Sequence, residues 1–444
     1  MNVDVEDISG RSGRPQRRQR GRLWWSGWAL GRASWQAWAA LGAVLCALVV
    51  SVAQVSAAGG MDNAIVVRAA RAFWNGGSPY ADQRFFYFPS AMVAAAPQVL
   101  VPPAVLRVLV PAVTTGLLVA GWACALRLHG VPWRSRFAVL GLVGLAVGFA
   151  PFGHLVRLGN WTATAAAALP LALLLMSRGR WGTAGAVLGA AVALKPLLAP
   201  MVLLFVFARR WRGLGLMVLV PVVASGGSAL LMQDPAEFFT RTLPSLLSGH
   251  EDFVRLYEAS LGAVLPRLGV PQPVASAVAV GAAGVGLWCA YGRWRRGGGG
   301  PLRLTETACL LMLSVFLVSR PSFDHYLVVV LPLLLASAAL PGSVARSPWF
   351  WLALVPQVPG FTWPYLELPT RRAFKDAVTL CALALTLAWH RPPAEELAPA
   401  APAHSPPESP PRSHPQGLRP FDPAQGAAPP GPSGSGAAPL DPRV

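Results

Sequence analysis

Long apolar runs recur along this chain, separated by short segments rich in Arg, Gly and Pro. A helix needs about 20 apolar residues to cross a hydrocarbon core. The runs at roughly 35–58, 103–126, 137–152, 161–176, 214–231, 271–292, 304–319, 325–340, 348–359 and 373–390 therefore predict spanning helices. The pattern predicts an all-α polytopic membrane protein with about 10–12 transmembrane or re-entrant helices. Residues 1–22 read as a disordered basic cytoplasmic tail and 23–390 as one membrane domain. Residues 391–444 hold 16 Pro and read as a disordered Pro-rich tail. Ala53, Val55, Ser56 and Ala57 offer a small-residue cleavage site. The apolar run ahead of them exceeds a signal-peptide core, which favours a retained first span.

Arginine positions set the orientation. Arg127, Arg134 and Arg136 share a loop; Arg178 and Arg180 lie in the next, then Arg209, Arg210 and Arg212. Arg293, Arg295, Arg296 and Arg303 form another, and Arg346 a weaker last one. The positive-inside rule places all of these in the cytoplasm. The run 182–207 then has basic loops at both ends and is broken by Leu194-Lys195-Pro196. It reads as two half-helices that enter and return on the cytoplasmic side, with Lys195 at mid-depth, or else as one long tilted helix. Eleven acids lie outside the tails, and ten of them fall in or beside segments assigned to the outside; Glu306 is the exception. Chemistry is thus expected on the extracytoplasmic face of a multi-pass plasma-membrane protein.

Composition removes other classes. Charged residues make up 13% of the chain and hydrophobic ones 54%, against about 25% charged in soluble domains. The formal charge is +18. Its arginines sit in loops between apolar runs, so orientation rather than nucleic-acid binding accounts for it. The five Cys are isolated inside apolar runs, with no CxxC. No Walker A, GxGxxG or HExxH sequence occurs, and no Asp-x-Asp pair in the outer loops, so neither a cofactor nor a metal is expected.

Four places carry candidate chemistry. Asp62 stands where the first span leaves the bilayer. A partly desolvated carboxylate there suits a general base toward a sugar hydroxyl, and it equally suits a helix N-cap. The following stretch to Trp74 is amphipathic, with Arg68 and Arg71 opposite Ile65, Ala69 and Phe73. It suits a helix lying in the membrane interface, followed by a turn at Asn75 to Pro79 and aromatics at Phe85 to Phe88. Lys195 lies within an apolar run, where an ionisable residue points to function and an ammonium suits a lipid phosphate. Arg320, Asp324 and His325 form a third polar group, and His154, Arg157 and Asn160 a fourth.

These residues together resemble the integral-membrane glycosyltransferases of family 87 (DUF2029), in the GT-C class. The resemblance is carried by an Asp after the first span, then Trp74-Asn75-Gly76-Gly77-Ser78-Pro79-Tyr80, Phe85-Phe86-Tyr87-Phe88-Pro89, Gly159-Asn160, Leu194-Lys195-Pro196 and Asp234-Pro235 through Pro244. It implies a GT-C-like bundle and an inverting transfer from a polyprenyl-phosphate sugar donor to an extracytoplasmic glycan or glycolipid acceptor. The sugar is left open between arabinofuranose and mannose. The resemblance implies Asp62 as base, Lys195, Arg320 and His325 around the donor phosphate, and Tyr80, Tyr87, Asn160, Arg241 and Asp324 around the substrates. Two other readings remain: a transporter of lipid-linked sugar or small solute, suggested by the break at Lys195, and a non-catalytic subunit of cell-wall assembly.

Overall fold

The computed structural model describes residues 27–244, 256–296, 300–360 and 369–390. The expected tails lie outside these ranges, as do Glu251, Asp252, Arg255 and Glu367. The described residues form helices without a β-sheet. In chain order the α-helices that build the site are α1 (Trp35–Val55), α2 (Met61–Trp74), α3 (Pro89–Val99), α4 (Pro103–Leu128), α5 (Arg136–Val147), α6 (Ala150–Leu158), α7 (Thr162–Ser177), α8 (Trp181–Leu194), α9 (Val202–Phe207) and α10 (Trp211–Ala229). There follow α11 (Leu261–Arg267), α12 (Gln272–Arg296), α13 (Pro301–Val318), α14 (Leu327–Ser337), α15 (Pro348–Leu354) and α16 (Pro369–Trp389).

Among the described residues, five helices are long and apolar enough to cross a membrane: α1, α4, α10, α12 and α13. The pair α5 and α6 is apolar as well but bends by 67° at its junction. This is a polytopic, all-α membrane protein. Burial sorts its helices. The most apolar stretch of α1 is 11% buried, that of α13 72%. A helix apolar on every side is stable either in the core or against lipid, so α13 is central and α1 peripheral. Around α13 pack α7 and α14, also buried on nearly all sides.

One end of the bundle collects the arginine loops. The Trp294 indole donates to the Phe207 carbonyl at 3.0 Å, Arg210 lies over the Trp181 ring, and Thr305 meets His129. Glu306, the lone acid expected at this end, is buried there and pairs with Arg293. It also accepts the Val344 backbone N–H at 3.0 Å. A buried carboxylate needs such partners.

The break at Lys195-Pro196 is a reversal. Pro196 has no N–H to continue α8. A six-residue 3-10 turn (Pro196–Met201) follows and leads into α9. Phe205 returns to within 5.9 Å of Trp181, ring centre to ring centre. A continuous helix between those two residues would hold them roughly 36 Å apart. Gly185 then meets Gly213, and Gly189 meets Leu216 and Val220, so α8 and α10 run side by side in the same direction. The chain enters and leaves at the arginine end. The expected mid-depth for Lys195 is corrected by helix length: 14 residues of α8 rise about 21 Å. That nearly retraces α7 and brings Lys195 level with Thr162, at the far end of the bundle.

The amphipathic stretch forms α2, but its apolar face meets protein rather than lipid. Ile65, Val66, Ala69 and Ala70 pack with Tyr80, Phe85, Tyr87 and Met92 in a second apolar cluster. Its polar side is exposed, with Arg68 bound to Asp82 at 2.9 Å.

Candidate active site

The site is assembled by backbone contact between two turns. The segment from α1 to α2 passes through Gly59 and Gly60, with φ of 83° and 109°. The segment from α6 to α7 passes through Gly159, left-handed at φ 60°. A Cβ on Gly159 would stand 2.1 Å from the Gly59 carbonyl oxygen, and one on Gly60 2.4 Å from that of Leu158. Only glycines permit both the conformation and the approach. Their contact brings Asp62, two residues into α2, beside Asn160.

Asp62 is not the N-cap of its helix. Gly60 takes that position, and no side chain caps the turn. The Asp62 charge still gains from the positive end of α2. Its Oδ2 accepts from Asn160 Nδ2 at 2.5 Å. Asn160 Oδ1 accepts in turn from Lys195 Nζ at 2.8 Å and from the Thr162 backbone N–H at 2.8 Å. Lys195 also donates to Thr162 Oγ1 at 2.8 Å. Two aromatic rings complete its surroundings: Nζ lies 5.0 Å from the centre of Tyr326 and 5.7 Å from that of Tyr87. Such faces stabilise a cation removed from water. Asp62 is close enough to act electrostatically on Lys195, Tyr87 and Tyr326 together. Asp62 and Lys195 are half-buried, Asn160 fully buried. The two charged groups keep partial exposure, while the amide between them is buried.

The supporting contacts explain why the site holds its shape. Asn63, beside Asp62, is buried and bonds Trp161 Nε1 at 3.1 Å and Gln98 at 2.9 Å. At the end of α8, Ser90 Oγ donates to the Ala193 carbonyl at 2.6 Å. That carbonyl is left unpaired by the helix end. Tyr80 is buried, and its hydroxyl donates to the Tyr87 carbonyl at 3.1 Å. It holds the loop that presents the Tyr87 ring. Burial, and then the nearby Glu237, push the Tyr80 phenol up from its ordinary value, so it stays a donor.

The third and fourth sequence groups meet. His154 of α6 places Nδ1 2.5 Å from Asp324 Oδ2. Asp324 Oδ1 accepts the His325 backbone N–H at 2.7 Å and lies 3.3 Å from His325 Nδ1. His325 is buried, stacks on Phe323 and meets Tyr326 edge to face; among the described residues its Nε2 has no hydrogen-bond partner. Tyr326 thus has Lys195 over its ring and His325 at its edge, joining the two clusters. Arg320 bonds the Gly262 carbonyl and lies 3.5 Å from Glu258. Arg241 stands apart from these groups. It is exposed, on a π-helical turn (Phe238–Thr242), and pairs with Glu237 at 3.2 Å. Glu237 also accepts from Ser78, tying that turn to the loop after α2. Arg157 is exposed.

The sequence did not single out Thr162, Trp161 or Gln98. The available signal was a run of polar residues directly beside Asp62 and Asn160, plus a Gln in an otherwise apolar helix. Among the described residues no cluster of His, Cys, Asp or Glu fits a metal ion.

Fold and site define a polytopic membrane protein whose half-buried carboxylate and ammonium are linked by one buried amide. The chain belongs to glycosyltransferase family 87, whose profile matches residues 85–319, just over half of its length. Asn160 and Lys195 fall inside the match; Asp62, Asp324 and His325 fall outside it. The chain is similar to proteins named α-(1→3)-arabinofuranosyltransferase. Two strains of Mycobacterium tuberculosis supply relatives 33% identical over 177 residues, 38% of this chain and 39% of each relative. That of Mycolicibacterium smegmatis is 29% identical over 200 residues, 44% of either chain. The matches thus span less than half the length of these curated relatives. No solved structure matches the chain.

Proposed function

We propose that the protein is an inverting glycosyltransferase that moves a sugar from a polyprenyl-phosphate donor to a glycan or glycolipid acceptor at the extracytoplasmic face of the plasma membrane. The observation that carries this reading is the pairing of Asp62 and Lys195 across the Asn160 amide. In this reading the acceptor hydroxyl attacks the anomeric carbon and gives its proton to Asp62. The bond from that carbon to the phosphate oxygen breaks, and polyprenyl phosphate leaves with the electron pair. A base positioned at the nucleophile and a cation at the leaving group lower the barrier where charge develops. Lys195 meets the donor phosphate, with His325 and Arg320 behind it. Tyr87 and Asp324 surround the transferred sugar, Tyr80 supports Tyr87, and Arg241 stands at the rim toward the acceptor. The name shared by the relatives favours arabinofuranose as the sugar; mannose is the alternative.

Two observations support the outward-facing site. Basic loops gather at the opposite end of the bundle, and such loops favour the cytoplasm. The test is transfer by the full chain in lipid nanodiscs, supplied separately with labelled polyprenyl-phosphate arabinofuranose and polyprenyl-phosphate mannose, with mixed glycan acceptors. Acceptor labelling from one donor is expected. Movement of intact donor across liposomes without transfer would instead establish a transporter.

A further inference from the structure

We propose that Asn160 is the positioning residue for the base, an amide whose orientation is locked so that it aims Asp62 and holds Asp62 and Lys195 apart. This rests on the reading of Asp62 as the base. The lock follows from which groups can donate. The Thr162 backbone N–H and the Lys195 ammonium can only donate. The Asn160 atom 2.8 Å from both is therefore its oxygen. The amide nitrogen is left facing Asp62 Oδ2, 2.5 Å away. Asn160 is buried, and the Gly59–Gly159 contact fixes the backbone turn that carries it. Among the described residues no hydrogen bond reaches Asp62 Oδ1, so that oxygen is the one presented to an acceptor hydroxyl. The cation on the amide oxygen polarises the amide and strengthens the bond donated to the carboxylate. Asp62 and Lys195 form no direct ion pair. Such a pair would weaken the base and neutralise the cation that a phosphate needs. The amide transmits orientation without that cancellation.

The charges around Asp62 come from several elements. Lys195 stands at the reversal after α8, Tyr87 in the loop before α3 and Tyr326 before α14. His154 and Arg157 lie on α6, Tyr80 and Asp82 in the turn after α2, and Arg68 and Arg71 on α2 itself. None of these donates a hydrogen bond to the carboxylate, and Asn160 does. Its removal therefore registers in the rate of the chemical step.

The experiment measures the rate and both KM values of transfer by the full chain in nanodiscs, for wild type, Asn160→Ala and Asn160→Asp. A residue that only aims the base acts on the chemical step, so the rate falls while both substrate affinities stay. For Asn160→Ala the rate is expected to fall about tenfold, with both KM values within about threefold of wild type. Asn160→Asp keeps acceptors for Lys195 and Thr162 but sets a second carboxylate against Asp62, so its rate falls further at similar KM values. An unchanged rate would overturn the proposal, and so would a raised KM for donor or acceptor, which would make Asn160 a substrate contact. If the Ala variant does not fold, the near-isosteric Asp variant decides alone. Wild-type activity in Asp62→Asn would instead remove the base itself, a different failure.

Discussion

At the scale of single residues, the site rests on a few polar groups placed where water is scarce. The positions of Asp62 and Lys195, as charges beside or within an apolar run, were legible in the sequence. Their link through Asn160 was not. Residues 62, 160 and 195 meet only through the packing of three separate segments. Tyr80 shows the opposite case, a residue expected at the substrate whose hydroxyl is used on the Tyr87 backbone. Its replacement separates support from chemistry. Tyr80→Phe is expected to cost about 1–2 kcal/mol of stability, the usual loss for a buried hydrogen bond, with transfer kept. The phenol is raised in the folded state, whereas an unfolded Tyr ionises near pH 10. The stability from holding it protonated is therefore complete below about pH 10 and is lost as pH rises beyond that. Thermal melts of wild type against pH should steepen their decline there, and Tyr80→Phe should lessen it. An unaltered decline would show that Tyr80 is not the group responsible.

At the scale of elements, helix lengths and glycine contacts do the positioning. Pro196 announced a break in the run 182–207, and the basic residues at both ends announced the reversal. The depth of Lys195 was not legible, since it depends on α8 retracing α7. The period of α2 revealed an apolar face but not what covers it; neighbouring aromatics, distant in pattern though near in sequence, took the place of lipid. The Gly59–Gly159 contact makes a sharp comparison. Gly159→Ala meets a carbonyl oxygen at 2.1 Å, whereas Gly179, also left-handed at φ 76°, has nothing within 4 Å of an added Cβ. Gly179→Ala should cost only the conformational term of about 1–2 kcal/mol. Gly159→Ala should cost more and abolish transfer, because the turn carrying Asn160 must move. Equal melting temperatures and equal rates for the two variants would contradict the positioning role of this contact.

At the scale of the whole molecule, the arginine loops and the candidate site occupy opposite ends of the helical bundle. Fold class was legible throughout, since apolar run length and low charge leave few alternatives to a polytopic bundle. The sorting into central and peripheral helices was not, because α1 and α13 are both apolar and only packing separates them. The reversal has a direct consequence for topology: Arg180 and Arg209 must lie on one side of the membrane. Single cysteines at these positions, in a chain freed of its five native cysteines, should react with an impermeant thiol reagent from the same side. Labelling from opposite sides would make 182–207 a span and invert everything downstream.

The central claim is that Asp62 and Lys195 act as base and phosphate ligand in one sugar transfer. Its most direct measurement is single-turnover transfer from a labelled polyprenyl-phosphate sugar by wild type, Asp62→Asn and Lys195→Met at equal protein level. Asp62→Asn is expected to lose at least about 100-fold in rate while donor affinity stays near wild type. Lys195→Met is expected to lose a similar factor together with donor affinity. Transfer by Asp62→Asn within about threefold of wild type, where a lost base costs orders of magnitude, would contradict the account.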